Sequence, residues 1–271
     1  MRREIRRGDV TDLLYLPANE YERAFEATVT AVDEQQGTVV LDRTLFYKAG
    51  GGQPPDHGVI EWDAGRARVA DVRQDHGEVR HTLDTPSDDT DDSATGGDLP
   101  TEGERVRGAI DWERRYAHMR YHTAQHVVSK VVLEAFDAST AGNRLYTDRA
   151  RIDFEPASFD AADLRAIEDA ANDLLETDLA VEKEFLAREE LEARTPEGRT
   201  NLDLIPASVD PLRAVFIGDR DVCPCGGTHV RSLGELGPIE IVERTSKGAA
   251  VDRIEFVLGD PVETAEPEPA A

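Results

Sequence analysis

At Trp112 the hydrophobic pattern of the chain changes its period. Upstream, within residues 11–83, FEATVTAVD, GTVVLDRTLFY, GVIEWD and ARVADVRQ carry β-branched and aromatic residues in partial alternation, separated by Gly or Asp. RVRGAIDW (105–112) reads as one more strand. Short strands with Gly-rich turns predict a small barrel or sandwich. The stretch 84–104, DTPSDDTDDSATGGDLPTEGE, has eight acidic and no basic residues, which predicts a disordered, solvated loop interrupting that β-domain. Downstream, Tyr121, Ala124, Val128, Val131 and Leu133 fall at helical spacing and predict a helix over 113–136. RARIDF then reads as a strand, and SFDAADLRAIEDAANDLLETD as an amphipathic helix capped by Ser158 or Asp160. AVEKEFLA is a strand, EELEAR a short helix, and RAVFIGD, GPIEIVERTSK and RIEFVLG are strands. Helices and strands mix without a βαβ rhythm, so the fold class expected is α+β with a mainly antiparallel sheet. The expected division is 1–110, 111–259 and a disordered Pro/Glu/Ala-rich tail at 260–271.

Charge narrows the setting. The net charge is −25, and only four of the 31 basic residues are lysines (Lys48, Lys130, Lys183, Lys247). An acidic, arginine-biased chain resembles a protein from a salt-in halophile, where self-repulsion is screened over about 3 Å or less. In that setting acidity does not exclude a nucleic-acid partner. No apolar run is long enough to span a membrane, and no apolar segment follows the basic start MRREIRRGDV. A cytoplasmic protein is expected, and two cysteines make no disulfide framework.

HMRYHTAQH places histidines at 118, 122 and 126. Residues i and i+4 share a helix face, so 118/122 or 122/126 can grip one ion. All three cannot, because i and i+8 lie about 12 Å apart along a helix and Zn–N bonds are about 2.1 Å. A second pair, Cys225 and His229 in CPCGGTH, follows roughly a hundred residues later, with Gly226 and Gly227 permitting a tight turn. Two histidines, a cysteine and a histidine make a tetrahedral N₃S zinc set. Cys223 has no partner at ligand spacing. It is left as a buried neighbour, a thiol near the site or an alternative ligand.

HTAQH (122–126) with CGGTH (225–229) resembles the paired zinc motifs of the alanyl-tRNA synthetase editing domain. FYKAGGGQPPDHG (46–58) resembles the Gly-rich segment of the β-domain before it. TDLLYLPANEYERAFEATV, GRTNLDLIP and SKGAAVDRIEF resemble the free-standing, trans-editing members, so the likeness runs from residue 11 to about 258. The resemblance implies an N-terminal β-barrel and a two-layer α+β editing domain. It implies ATP-independent hydrolysis of mischarged tRNA(Ala), carrying serine or glycine. It assigns one Zn²⁺ to His122, His126, Cys225 and His229, leaving out His118 and Cys223. The chain has no room for an aminoacylation core, and a monomer is expected.

Four ligands are the number of a structural zinc site, whereas catalytic zinc keeps an open position. No Ser-His-Asp or Cys-His arrangement is legible. Selectivity is the harder demand, because alanine is smaller than serine and cannot be excluded by size. A polar group that pairs with the hydroxyl discriminates, since the alanyl ester leaves it unpaired. Thr140, in DASTAGNRL, aligns with what looks like the family's hydroxyl reader, and Gln125 is the second candidate. Gly51, Gly52 and Gln53 are expected to bring backbone close to the RNA end or to the zinc cleft, with Gln53 as the polar contact. The alternative class is a zinc-stabilised RNA-binding module without catalysis.

Overall fold

The computed structural model describes residues 10–84, 99–200, 202 and 205–260. The basic start, most of the acidic stretch (85–98) and nearly all of the tail lie outside the described residues. Two compact units form, Met1–Gly50 with Pro54–Tyr116 and Gly51–Gln53 with Ala117–Ala271, the undescribed residues apart.

The first unit contains β1 (Asp12–Leu13), β2 (Ala24–Asp33), β3 (Thr38–Leu41), β4 (Arg43–Thr44), β5 (Gly58–Trp62), β6 (Gly65–Asp75), β7 (Glu78–Asp84) and β8 (Arg105–Ile110). β1 and β4 pair in parallel. The other six close a barrel in the order β2-β3-β7-β6-β5-β8, every pair antiparallel. Closure comes from β2 pairing β8. Both strands flanking the acidic stretch belong to this barrel. Residues 99–104, inside the stretch read as a disordered loop, run as a turn in which Glu104 accepts from Thr101 N (2.9 Å), with Leu99 packed on the core. Alternation delivers Phe25, Ala27 and Val29 of β2, and Val106 and Ile110 of β8, to one core with Phe46, Ile60 and Val69.

That core holds one charged pair. Arg115 and Asp56 are both fully buried. Arg115 Nε donates to both Asp56 oxygens (3.0 and 2.9 Å), Nη1 to Glu20 O (2.9 Å), and Nη2 to Leu45 O (2.6 Å) and to Asp56. Asp56 also accepts from Tyr47 N (2.7 Å). A single ion pair thus ties the Gly-rich segment, the 20s and the first turn of the long helix.

The second unit is α+β. It contains most of α1 (Trp112–Phe136), then β9 (Ser139–Leu145), β10 (Ala150–Glu155), α2 (Ala161–Leu175), β11 (Val181–Leu186), α3 (Arg188–Arg194), β12 (Leu212–Ile217), β13 (Asp221–Pro224), β14 (Ile239–Gly248) and β15 (Val251–Leu258). Two antiparallel sheets form, β14-β15-β10-β9 and β11-β12-β13. Asp160 rather than Ser158 caps α2, in a capping box with Asp163. Asn172 of α2 bridges the N–H and C=O of Ile239 (both 2.8 Å), fixing the helix to β14. Among the described residues no helix is long and apolar enough to cross a membrane.

Removing one partner of a buried pair strands the other charge, at a cost of about 3–5 kcal/mol. Asp56→Ala is expected to lower the thermal midpoint of the barrel sharply, while the double variant Asp56→Leu/Arg115→Met loses less. Calorimetry of both variants checks this.

Candidate metal centre

Every residue of α1 from Tyr121 to Val132 is buried. His122, Thr123, Gln125, His126 and Ser129 therefore need partners inside the protein. They meet the loop after β13, which carries Cys225 to His229, and the segment Gly51–Gln53.

One donor atom from each of His122, His126, Cys225 and His229 lies within 4.8 Å of the others. The i,i+4 spacing puts the two helix rings 5.2 Å apart, and the His229 ring sits 4.3 and 4.6 Å from them. Gly227 allows this approach, since a Cβ there would lie 2.0 Å from His122 Cε1 and 2.3 Å from Nδ1. Neither Gly226 nor Gly227 has a positive φ, so room rather than turn geometry is what the position requires.

Neighbouring side chains fix the rings. Gln53 Oε1 accepts from Thr228 N (3.1 Å) and faces His122 Nδ1 (2.8 Å), while its Nε2 donates to Thr228 Oγ1 (2.8 Å). His122 must then carry its proton on Nδ1, and its Nε2 lone pair faces Cys225 Sγ at 3.5 Å. The Thr123 hydroxyl donates to Met119 O (3.0 Å), so at 3.2 Å it accepts from His229 Nδ1. His229 Nε2 is left 3.3 Å from the same sulfur. His126 Nδ1 lies 3.3 Å from Cys223 Sγ, leaving its Nε2 for the common point.

Burial, with Arg213 and His118 nearby, pulls the His122 pKa down to about 3. Burial and the neighbouring cationic groups push His126 and His229 well below the ordinary histidine range. The imidazoles are therefore neutral, as ligands must be. A thiol has one proton and cannot satisfy two imidazole lone pairs. Lone pairs converging on one point are stable when a cation sits there. Ligand atoms at about 2.1 and 2.3 Å from one tetrahedral ion lie about 3.6 Å apart, close to the observed 3.3–3.5 Å. The residues fit a tetrahedral N₃S ion. Cys225 is the one member not fully buried, and Gly226 beside it is exposed, so this is the least covered side of the centre.

Other candidates fall as follows. His118 is buried one turn before His122, outside the four. Cys223 is buried, and burial raises its thiol pKa, which opposes a nucleophilic thiolate. It forms a second group with His126 and Asp221, in which Asp221 is held by Arg199 (2.9 and 2.6 Å). Gln53, expected to contact substrate, is buried with both ends of its amide engaged. Gly52 has φ +84° and abuts Asn143, where a Cβ would lie 1.6 Å from Oδ1, and Leu145 N donates to Gly52 O (3.0 Å). Gly51, at φ +57°, has open space around it. Thr140 lies in strand β9, not in a turn, opposite Phe154. It donates to Ser129 Oγ (2.7 Å), and so does Gln125 Nε2 (2.8 Å).

Sequence reasoning missed Ser129, Thr123, Thr228 and three cations. Arg213 donates to Cys225 O and Gly227 O (2.9 and 2.7 Å), Lys183 to His229 O and Val230 O (3.3 and 2.8 Å), and Arg199 to His126 O (3.3 Å). Lys183 carried a signal, being one of four lysines in an arginine-biased chain.

Comparison with known proteins gives the class. Residues 212–255 match the threonyl and alanyl tRNA synthetase second additional domain, and residues 17–114 match tRNA synthetases class II (A). The chain belongs to the alanyl-tRNA editing protein family. It is 35% identical over 253 residues to alanyl-tRNA editing protein AlaX-M of Methanosarcina barkeri, covering 93% of this chain and all of the relative. AlaX-L of Pyrococcus horikoshii is 34% identical over 88% of this chain and 56% of its own length. Alanine–tRNA ligase of Methanopyrus kandleri is 38% identical over 87% of this chain and a quarter of its own.

Outer partners of metal ligands are worth about 10–100-fold in affinity. Gln53→Ala and Thr123→Val are each expected to weaken Zn²⁺ binding by that factor without unfolding the chain. Cys225→Ala should lose the ion and Cys223→Ala should keep about one per chain. Metal content after gel filtration and competition with a chromophoric chelator checks each variant.

Proposed function

We propose that this protein is a trans-editing deacylase that hydrolyses Ser-tRNA(Ala), and Gly-tRNA(Ala), with one Zn²⁺ held by His122, His126, Cys225 and His229. The observation that carries the reading is the convergence of three neutral imidazoles and a sulfur within 4.8 Å, with Cys225 the half-buried member. Relatives named as alanyl-tRNA editing proteins supply the substrate class. A bound Zn²⁺ would supply polarisation of the ester carbonyl or acidification of a water once it expanded its shell or released one of the four ligands.

The chain's own residues supply selectivity. Ser129 Oγ accepts from both Gln125 and Thr140, which commits the Thr140 proton and leaves its oxygen lone pairs as a fixed acceptor. A seryl hydroxyl donates to that oxygen. An alanyl ester leaves the acceptor unpaired. Gln125 thus acts through Ser129 as a positioning residue, and Gly51 and Gly52 offer backbone to the RNA end. The acidic, lysine-poor composition supports a salt-rich cytoplasm as the setting.

Thr140→Val keeps the shape and removes the acceptor. Ser-tRNA(Ala) hydrolysis is expected to fall roughly 10- to 100-fold. Ala-tRNA(Ala) hydrolysis should be no slower, and metal content unchanged. Deacylation of both esters in high salt, with and without chelator, tests the reading. Parallel loss of both rates makes Thr140 structural, and chelator-resistant hydrolysis removes the metal from the chemistry.

A further inference from the structure

In a chain of net charge −25, one surface inverts the balance. Arg144 of β9 and Arg151 of β10 stand directly opposite each other in the antiparallel register. Arg151 alternates with buried Ala150 and Ile152, so both arginines lie on the outward face of the four-stranded sheet. Like charges directly opposite destabilise a strand pair. Among the described residues neither arginine is in a salt bridge. Three guanidinium groups gather on one ring: Arg149, Arg144 and Arg151 lie 4.3, 5.6 and 5.9 Å from the centre of Tyr146 in the same hairpin. Arg149 is held by Glu255 (3.2 Å) and Asp148 (3.3 Å). One row further, Arg253 pairs with Asp153 at 2.6 Å, and Lys247 and Arg151 also act on that carboxylate, which is held below its ordinary pKa first by the Arg253 hydrogen bond. Glu255 faces Arg151 from the β15 side, so the cationic excess lies on the Arg144 side of the hairpin, and the aromatic ring pre-orients the guanidinium groups.

We propose that the outward face of the β9–β10 hairpin is a phosphate-binding surface for the RNA of the substrate tRNA, with Arg144 and Arg151 as its anion contacts. The proposal rests on the editing reading above for the identity of the RNA. Guanidinium groups suit phosphodiesters because their forked donors match two phosphate oxygens. An anion between Arg144 and Arg151 also removes their repulsion. Position supports the same occupant. Thr140 precedes Arg144 by four residues on β9, about 13 Å at about 3.3 Å per residue. β9 is the sheet's edge strand, and Thr140 pairs with buried Phe154 on the inner face. An acceptor end whose ester reaches Thr140 passes over that edge, with its preceding phosphates in reach of the arginines.

The test uses the full chain, tRNA(Ala) and a minimal substrate, seryl-adenosine. Arg144→Glu and Arg151→Glu are made singly, with Arg165→Glu on α2 as the control for equal charge change. Fluorescence anisotropy in a KCl series gives the slope of log affinity against log salt. Each hairpin variant should weaken tRNA binding several-fold at the lowest salt and reduce the slope by about 0.9, the value of one phosphate contact. Arg144→Lys should keep the slope. Seryl-adenosine hydrolysis should stay at its wild-type value, and each variant should keep a cooperative thermal transition. Unchanged affinity and slope in folded variants would overturn the proposal, as would an equal loss in Arg165→Glu. Failure of the editing reading shows separately, as wild-type protein that binds tRNA with the expected slope but hydrolyses neither ester.

Discussion

Three imidazole lone pairs and one sulfur converge within 4.8 Å inside the second unit. Burying His122 and His126 in the long helix requires partners for both rings. The loop after β13 comes close only because Gly227 has no side chain to strike His122. Removing the convergence would leave a buried polar helix with unsatisfied nitrogens, each costing about 1–3 kcal/mol.

The centre is held from outside by ordinary polar groups. Gln53 and Thr123 each present an acceptor to a ring Nδ1, turning Nε2 inward. Arg199, Arg213 and Lys183 bind the backbone carbonyls of the ligand-bearing segments. Burial, with Arg213 beside both rings, lowers the pKa of His122 and of His229. The Thr140–Ser129–Gln125 chain is a separate hydrogen-bonded set on the same helix. In the proposed reading, metal binding and hydroxyl recognition fall to different residues, so each can be altered without the other.

Much of this was legible in the sequence where residue type is restrictive. Few residue types bind such an ion, so the histidines at 118, 122 and 126 and the pair Cys225 and His229 stood out despite a separation of about a hundred residues, while the choice of 122 and 126 came from the family resemblance. The helix at 113–136 followed from its period. Local pattern alone did not choose between barrel and sandwich, because closure depends on β2 meeting β8 far away in the chain; the family resemblance gave the barrel. Strand β9 was unreadable because STAGNRL has one large apolar side chain and no alternation; it is set by pairing with β10 and by Gly52. Asp56 and Arg115 are 59 residues apart, and no local pattern marks either as buried. Gln53, Thr123, Thr228 and Ser129 are common residue types whose role exists only through their neighbours.

X-ray absorption at the zinc edge of the loaded protein tests the central claim most directly. The account predicts a four-coordinate shell of one sulfur at about 2.3 Å and three nitrogens at about 2.0–2.1 Å. A shell with two sulfurs would bring Cys223 into the centre, and a shell of light atoms alone would remove Cys225. Either result would contradict it.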